Sequence, residues 1–208
     1  IGEQNILNNL AYYFKKIQHI TDFDKLPIPF RAIATNVNDG KEYIFKEGSI
    51  VNAIRGSISI PAVFTPSATD DKKYVLDGGL INNLPIQAAI DMGADIIIAM
   101  DVASITNTDP SSIKNMTDTA TYIFNFIISQ NAVQQHNLAH LLLCPNLKDY
   151  STFDFLKVNE IIREGEICIE ENKEKIQNFI KMLENKGVKL NPLQADRQSY
   201  YNSLEDPV

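Results

Sequence analysis

Apolar positions along the chain follow two periods. Ile6, Leu7, Leu10, Tyr13, Phe14 and Ile17 keep a helical repeat, which predicts a helix over residues 4–20 with Lys15 and Lys16 near its end. Pro27 and Pro29 hold the next stretch extended. Residues 30–36 alternate and predict a strand. Asn38-Asp39-Gly40 reads as a turn, with residues 42–45 as the returning strand. Ser49 is a good N-cap for a helix over 50–57, with Ile50, Ala53 and Ile54 on one face. Pro61 and Pro66 bracket a short extended segment at 62–64, and a polar loop follows at 68–73.

The pattern then changes. An apolar run at 74–76 is stopped by Asp77, Gly78 and Gly79. Pro85 suits the first turn of a helix over 85–92, and Gly93 ends it. Residues 94–102 are almost continuously apolar, as in a parallel strand covered on both faces. Strand, helix and strand at 74–76, 85–92 and 95–101 make a βαβ pattern. It would set the strand ends after Leu76 and Met100 on one edge of a parallel sheet, where ligands bind. Further on, 106–110 reads as a loop and 113–135 as a long helix with Ile123, Phe124, Ile127 and Ile128 inward. Residues 140–144 read as a strand, 149–154 as a loop, and 159–186 as mostly helix ending at Gly187. The expected class is α/β, with a mainly parallel sheet flanked by helices. Residues 1–190 would form the folded part and 191–208 a connector or frayed tail.

Composition narrows this picture. The 208 residues are 44% hydrophobic and 22% charged, a globular balance. No apolar run approaches the roughly 18 residues of a membrane span. The chain opens on Ile1-Gly2-Glu3 with no start methionine and no basic leader, so the expectation is a piece of a longer protein. Cytoplasmic and secreted locations both stay open. A net charge of −7 disfavours binding to nucleic acid through its phosphates. Cys144 and Cys168 sit among apolar residues and read as small hydrophobes.

Asp77 is the leading candidate for chemistry. A carboxylate at a strand end, beside two glycines that block no ligand and tolerate positive φ, can serve as a base or orienting group. It can equally be an Asx turn shaping the junction, and the local pattern does not separate the two. Asp101 also ends a predicted strand, but reads as a loop hydrogen bond or cap, because no glycine clears space around it. His136 and His140 have a metal-like i, i+4 spacing. They straddle a helix end with no ligand-spaced partner nearby, so no metal site is expected. His19 complements the dipole at the end of the first helix. A serine nucleophile would need Gly-x-Ser-x-Gly on a strand-to-helix turn, and no such motif occurs. Neither phosphate-binding glycine motif occurs, and no cofactor is expected.

Four ordered segments together resemble the bacterial patatin-like phospholipases. They are residues 29–35, residues 53–64, Leu76-Asp77-Gly78-Gly79-Leu80-Ile81-Asn82-Asn83-Leu84-Pro85, and the stretch from Met92-Gly93-Ala94-Asp95 to Met100-Asp101-Val102. The resemblance continues more weakly from Pro145 to Gly165 and covers roughly residues 1–185. It implies a partial patatin-like three-layer fold and a Ser–Asp dyad, with Asp77 as the base and Gly78-Gly79 as the active-site turn. The family's serine elbow and glycine-rich oxyanion loop are both lacking from the chain. The resemblance therefore implies the C-terminal portion of a lipid acyl hydrolase, inactive alone. Its implied partners are a lipid or acyl-ester substrate, peripheral membrane contact, and the missing N-terminal half. That half would have to cover an exposed sheet edge. The alternatives are a non-catalytic lipid-binding or protein-interaction module on the same fold, and an unrelated nucleotide-binding α/β domain.

Overall fold

The computed structural model describes residues 3–61, 63–103, 113–150 and 154–188. The expected loop at 106–110, residues 151–153 of the next loop, and the tail at 191–208 lie outside them. Two compact units are formed, by residues 3–81 and 82–188.

The first unit begins with α1 (Glu3–Phe14). This helix is shorter than its apolar repeat predicts. After Phe14 the backbone bonds step to i−3, with Ile17 N–H on the Phe14 carbonyl and Ile20 N–H on that of Ile17. The chain therefore closes in tight turns instead of another α-turn. β1 (Ala32–Asn36) and β2 (Glu42–Phe45) form the expected hairpin, with Ala32 opposite Phe45 and Thr35 opposite Glu42. Gly40 takes φ +67° in its turn. α2 (Ile50–Ser57) starts where expected, with the Ser49 hydroxyl accepting the Asn52 N–H. Ser49→Ala should cost about 1 kcal/mol, read as a lower urea midpoint at unchanged slope.

β3 (Ser67–Ala68) and β4 (Tyr74–Asp77) complete a four-stranded sheet in the order β2-β1-β4-β3. Its core gathers Phe23, Ala34, Phe45, Ile50, Ala53 and Val75, with α1 side chains packed on them. The segment expected to be extended around 63–64 is instead a turn, because Val63 and Phe64 N–H both reach the Ile60 carbonyl. Ala62 itself is not described.

In the second unit, α3 (Ile86–Asp91) ends before Gly93, which takes φ +88°. β5 (Ile98–Met100) and β6 (Leu141–Leu143) pair in parallel, with Ala99 opposite Leu142. Between them, α4 (Met116–Gln135) is capped by the Asn115 side chain on Asp118 N–H. Phe124 and Ala132 are buried on it, whereas Ile123, expected to face inward, is exposed. The last helical stretch is two helices, α5 (Val158–Glu171) and α6 (Lys173–Asn185). They part at Asn172, whose side-chain amide donates to the Cys168 carbonyl. Leu141, Leu143, Cys168, Phe179 and Leu183 form a core here.

The α/β class holds, but the strand pairing differs from the expected mainly parallel sheet. Among the described residues β1–β2, β1–β4 and β3–β4 are antiparallel, and β5–β6 is the parallel pair. β4 and β5 therefore belong to different sheets, so the predicted βαβ unit with a shared edge is not formed. Nor is the apolar run around β5 covered on both faces. Ile97, Ala99 and Asp101 are buried, while Ile98, Met100 and Val102 are exposed.

Candidate active site

Asp77 is the last residue of β4 and the cap of the short 3₁₀ turn Gly78–Leu80. Its backbone is held on both sides. Asp77 N–H donates to the Ser59 carbonyl at 3.0 Å, and its carbonyl accepts the Thr35 hydroxyl at 2.8 Å. The carboxylate Oδ1 accepts Gly79 N–H at 2.8 Å. Oδ2 accepts no hydrogen bond from the described residues, which leaves one oxygen for an incoming proton.

The surroundings set the acidity of Asp77. Burial opposes the charged form and the Gly79 N–H favours it; burial wins, and the pKa is pushed up to about 6. The Asx-turn bond considered from the sequence is present, so the turn shapes the junction and also presents the carboxylate.

Gly78 is required for space and not for positive φ. A Cβ built on Gly78 would overlap the Ile33 carbonyl oxygen and lie 2.6 Å from its carbon. That same carbonyl accepts the Ser57 hydroxyl at 2.6 Å, so it cannot easily move away. The turn is thus pressed against β1, and this fixes the direction in which Asp77 leaves the sheet.

Arg55 is a supporting residue that motif reading passed over. It lies 2% exposed on α2 and donates from Nη1 to the Ser59 hydroxyl at 2.7 Å and from Nη2 to the Thr65 carbonyl at 3.2 Å. Its guanidinium sits 5.1 Å from the Phe64 ring centroid. Ser59 in turn accepts Asp77 N–H through its backbone, so Arg55 holds the segment that holds Asp77. Arg55→Ala should lower stability by about 2–4 kcal/mol, because the buried Ser59 hydroxyl loses its charged donor and the packing of the buried Arg55 stem is lost. Chemical denaturation checks this. The sequence signal was a lone arginine in a helix that otherwise buries apolar residues. Neither neighbouring hydroxyl is a nucleophile candidate: Ser57 is tied to Ile33, and Ser59 is fully buried between Arg55 groups.

In the second unit the structure joins residues that the sequence left apart. Asp101 follows β5, Cys144 follows β6, and His136 follows α4. Asp101 Oδ2 lies 2.7 Å from His136 Nε2, and Asp101 Oδ1 accepts Ala103 N–H at 2.8 Å. The loop hydrogen bond expected of Asp101 is therefore real, but it occupies one oxygen only. His140 does not join the group; its Nδ1 accepts Ile97 N–H at 3.2 Å. No helix among the described residues is long and apolar enough to cross a membrane.

Comparison with known proteins bears on the first unit most strongly. Residues 4–90 match the family model described as patatin-like phospholipase. An uncharacterized NTE family protein of Mycobacterium bovis is 32% identical over 120 residues, which is 58% of this chain and 33% of that protein. Lysophospholipase NTE1 of Mycosarcoma maydis is 34% identical over 97 residues, 47% of this chain and 5% of that protein. Patatin-like phospholipase domain-containing protein 7 of Mus musculus is 36% identical over 87 residues, 41% of this chain and 6% of that protein. The match therefore spans about a third or less of each of these relatives. The Asp77-Gly78-Gly79 turn, the Ser49-capped helix and the hairpin before it all fall inside residues 4–90, the stretch that matches the patatin-like phospholipase family model.

Proposed function

We propose that this chain contributes the aspartate base of a lipid acyl hydrolase of phospholipase A or lysophospholipase type. One observation carries the reading. A half-buried carboxylate is presented on a glycine turn, with one oxygen anchored and a pKa pushed up to about 6, inside the patatin-like residues. On this reading residues 1–190 form the C-terminal portion of one patatin-like domain. Asp77 pairs with a serine carried outside the 208 residues, since no Gly-x-Ser-x-Gly lies within them.

The reaction is acyl transfer to water. The serine hydroxyl passes its proton to Asp77 as its oxygen attacks an ester carbonyl, and N–H groups of a glycine-rich loop stabilise the oxyanion. Collapse of the oxyanion breaks the ester C–O bond, and the alcohol leaves with the proton that Asp77 returns to it. The acyl-serine is then hydrolysed by a water that the regenerated Asp77 deprotonates, its proton passing back to the serine oxygen as the acid departs. A carboxylate at the ordinary pKa is a poor base for a hydroxyl. Raising it toward the working pH strengthens it as a proton acceptor while most of it stays ionised at neutral pH. The remaining barrier reduction falls to positioning, which the clamped backbone of Asp77 and the close turn at Gly78 supply. The substrate is a lipid or other acyl ester, reached through peripheral contact with its surface.

The test is complementation. The 208 residues alone should not hydrolyse p-nitrophenyl acyl esters. Joined to a family segment that carries the serine elbow and oxyanion loop, they should. A folded, assembled pair without esterase activity would favour the non-catalytic lipid-binding reading instead.

A further inference from the structure

We infer that Asp101, His136 and Cys144, all in the second unit, form a binding site for a zinc-like divalent transition-metal ion. One ligand-type atom from each of the three lies within 4.8 Å of the other two. They come from three places that the fold of the second unit makes adjacent. Asp101 and Cys144 directly follow the parallel strands β5 and β6, and are locked in register by Asp101 N–H on the Leu143 carbonyl at 2.9 Å. His136 directly follows α4. The carboxyl ends of parallel strands are where α/β sheets receive ligands.

The donor set selects the ion. Thiolate, imidazole and carboxylate together suit zinc and its borderline neighbours, whereas calcium and magnesium take oxygen ligands. The three atoms, within 4.8 Å of one another, need only small side-chain shifts to reach bonding geometry. Bonds of roughly 2.0–2.3 Å in a tetrahedron place ligand atoms roughly 3.3–3.7 Å apart. The Asp101–His136 contact at 2.7 Å would open by about 1 Å or less, the ion taking the place of the proton between them, which passes to His136 Nδ1 or to solvent. Cys144 would bind as thiolate and release its proton to solvent.

The surroundings are those of a built site. Asp101 is 8% exposed, and its Oδ1 is fixed by Ala103 N–H, which aims Oδ2 toward His136. Such outer-shell bonds orient ligating carboxylates. An open cleft of about 230 Å³ adjoins the three residues, lined also by Ser129, Asn146 and Lys148. It leaves room for a fourth ligand, water or a substrate donor, as open zinc sites have.

A nucleophilic relay of the same residue types is disfavoured by geometry. A relay places the carboxylate and the thiol on opposite nitrogens of the imidazole, with the ring between them. Here one donor atom from each residue converges on the same small volume. Cys168, by contrast, is buried in an apolar core and serves as an internal control.

The full 208-residue chain should be titrated with zinc alone, and with cobalt as a spectroscopic probe. A single equivalent of zinc should survive dialysis. Cobalt should give an intense sulfur-to-metal charge-transfer band. Cys144→Ser should remove that band, and His136→Gln and Asp101→Asn should each weaken binding about 10-fold or more. Cys168→Ala should leave the band in place, and circular dichroism should show each apo variant folded. Failure to retain zinc, a band that persists in folded Cys144→Ser, or a band lost in folded Cys168→Ala would overturn the site.

Discussion

Asp77→Asn should make the first unit more stable while abolishing the proposed activity. The carboxyl of Asp77 titrates at about 6 in the folded chain and near 4 once unfolded. Between those values the folded state holds a proton that the unfolded state has lost. The contribution of Asp77 to stability is therefore highest below about pH 4, falls as pH rises toward 6, and stays low above it. At neutral pH the buried charge costs about 2–3 kcal/mol, because each pH unit separating the folded from the unfolded titration is worth about 1.4 kcal/mol. Asparagine keeps the shape and can still accept Gly79 N–H through its amide oxygen, but carries no charge. The thermal midpoint at neutral pH should rise by roughly 5–10 °C, and the gain should vanish at about pH 4. In the complemented enzyme the same change should lower kcat/KM by roughly 10²–10⁴-fold, the usual worth of a positioned base. A gain in stability joined to a loss of activity separates a catalytic carboxylate from a merely structural one.

Gly78→Ala should have the opposite effect on stability, and a larger one. The added methyl would fall on the Ile33 carbonyl, a backbone group that also receives the Ser57 hydroxyl. The atoms the methyl meets, the Ile33 carbonyl and the Ala34 nitrogen, are all backbone and cannot swing away. Relief requires β1 and the turn after β4 to separate, which breaks the register of Ala34 with Asp77. The cost should be about 3 kcal/mol or more, at the upper end of overpacking effects, and it should appear as a large drop in the urea midpoint. Gly56→Ala tests the comparison. Its Cβ would meet the Phe45 ring at 2.8 Å and a Val75 methyl at 3.1 Å, and both are side chains that can shift. The loss there should be the smaller of the two. Gly93→Ala, where a Cβ meets nothing within 4 Å, should cost only the strain of φ +88°.

These contrasts show which parts of the fold the sequence made legible. Local chemistry was readable. Asn38-Asp39-Gly40 set the hairpin, Ser49 set the start of α2, and Asp77 did end a strand, because each feature depends on neighbours a few residues away. Pairing direction was not. β4 chose β1, roughly forty residues upstream, and short apolar runs such as residues 74–76 carry no mark of a parallel or antiparallel partner. The role of Gly78 was half legible. Its small size could be read, but the neighbour that demands it lies on a strand distant in sequence.

The Asp101, His136 and Cys144 cluster was missed for the same reason. Two apolar runs each end in a potential ligand, Asp101 after Met100 and Cys144 after Leu143. The parallel pairing of the two runs is what sets their ends side by side. The His136–His140 spacing drew attention to the wrong partner, since the ring of His140 is occupied by the Ile97 N–H.

The pH dependence of kcat/KM tests the role of Asp77 most directly. It should be measured on p-nitrophenyl acyl ester hydrolysis by the chain joined to a serine-bearing segment. With Asp77 as the base, the rate should rise with pH through a single ionisation at about 6 and then level off, and it should nearly vanish in the Asp77→Asn form. Hydrolysis at full rate in folded Asp77→Asn, with the same pH profile, would contradict that role.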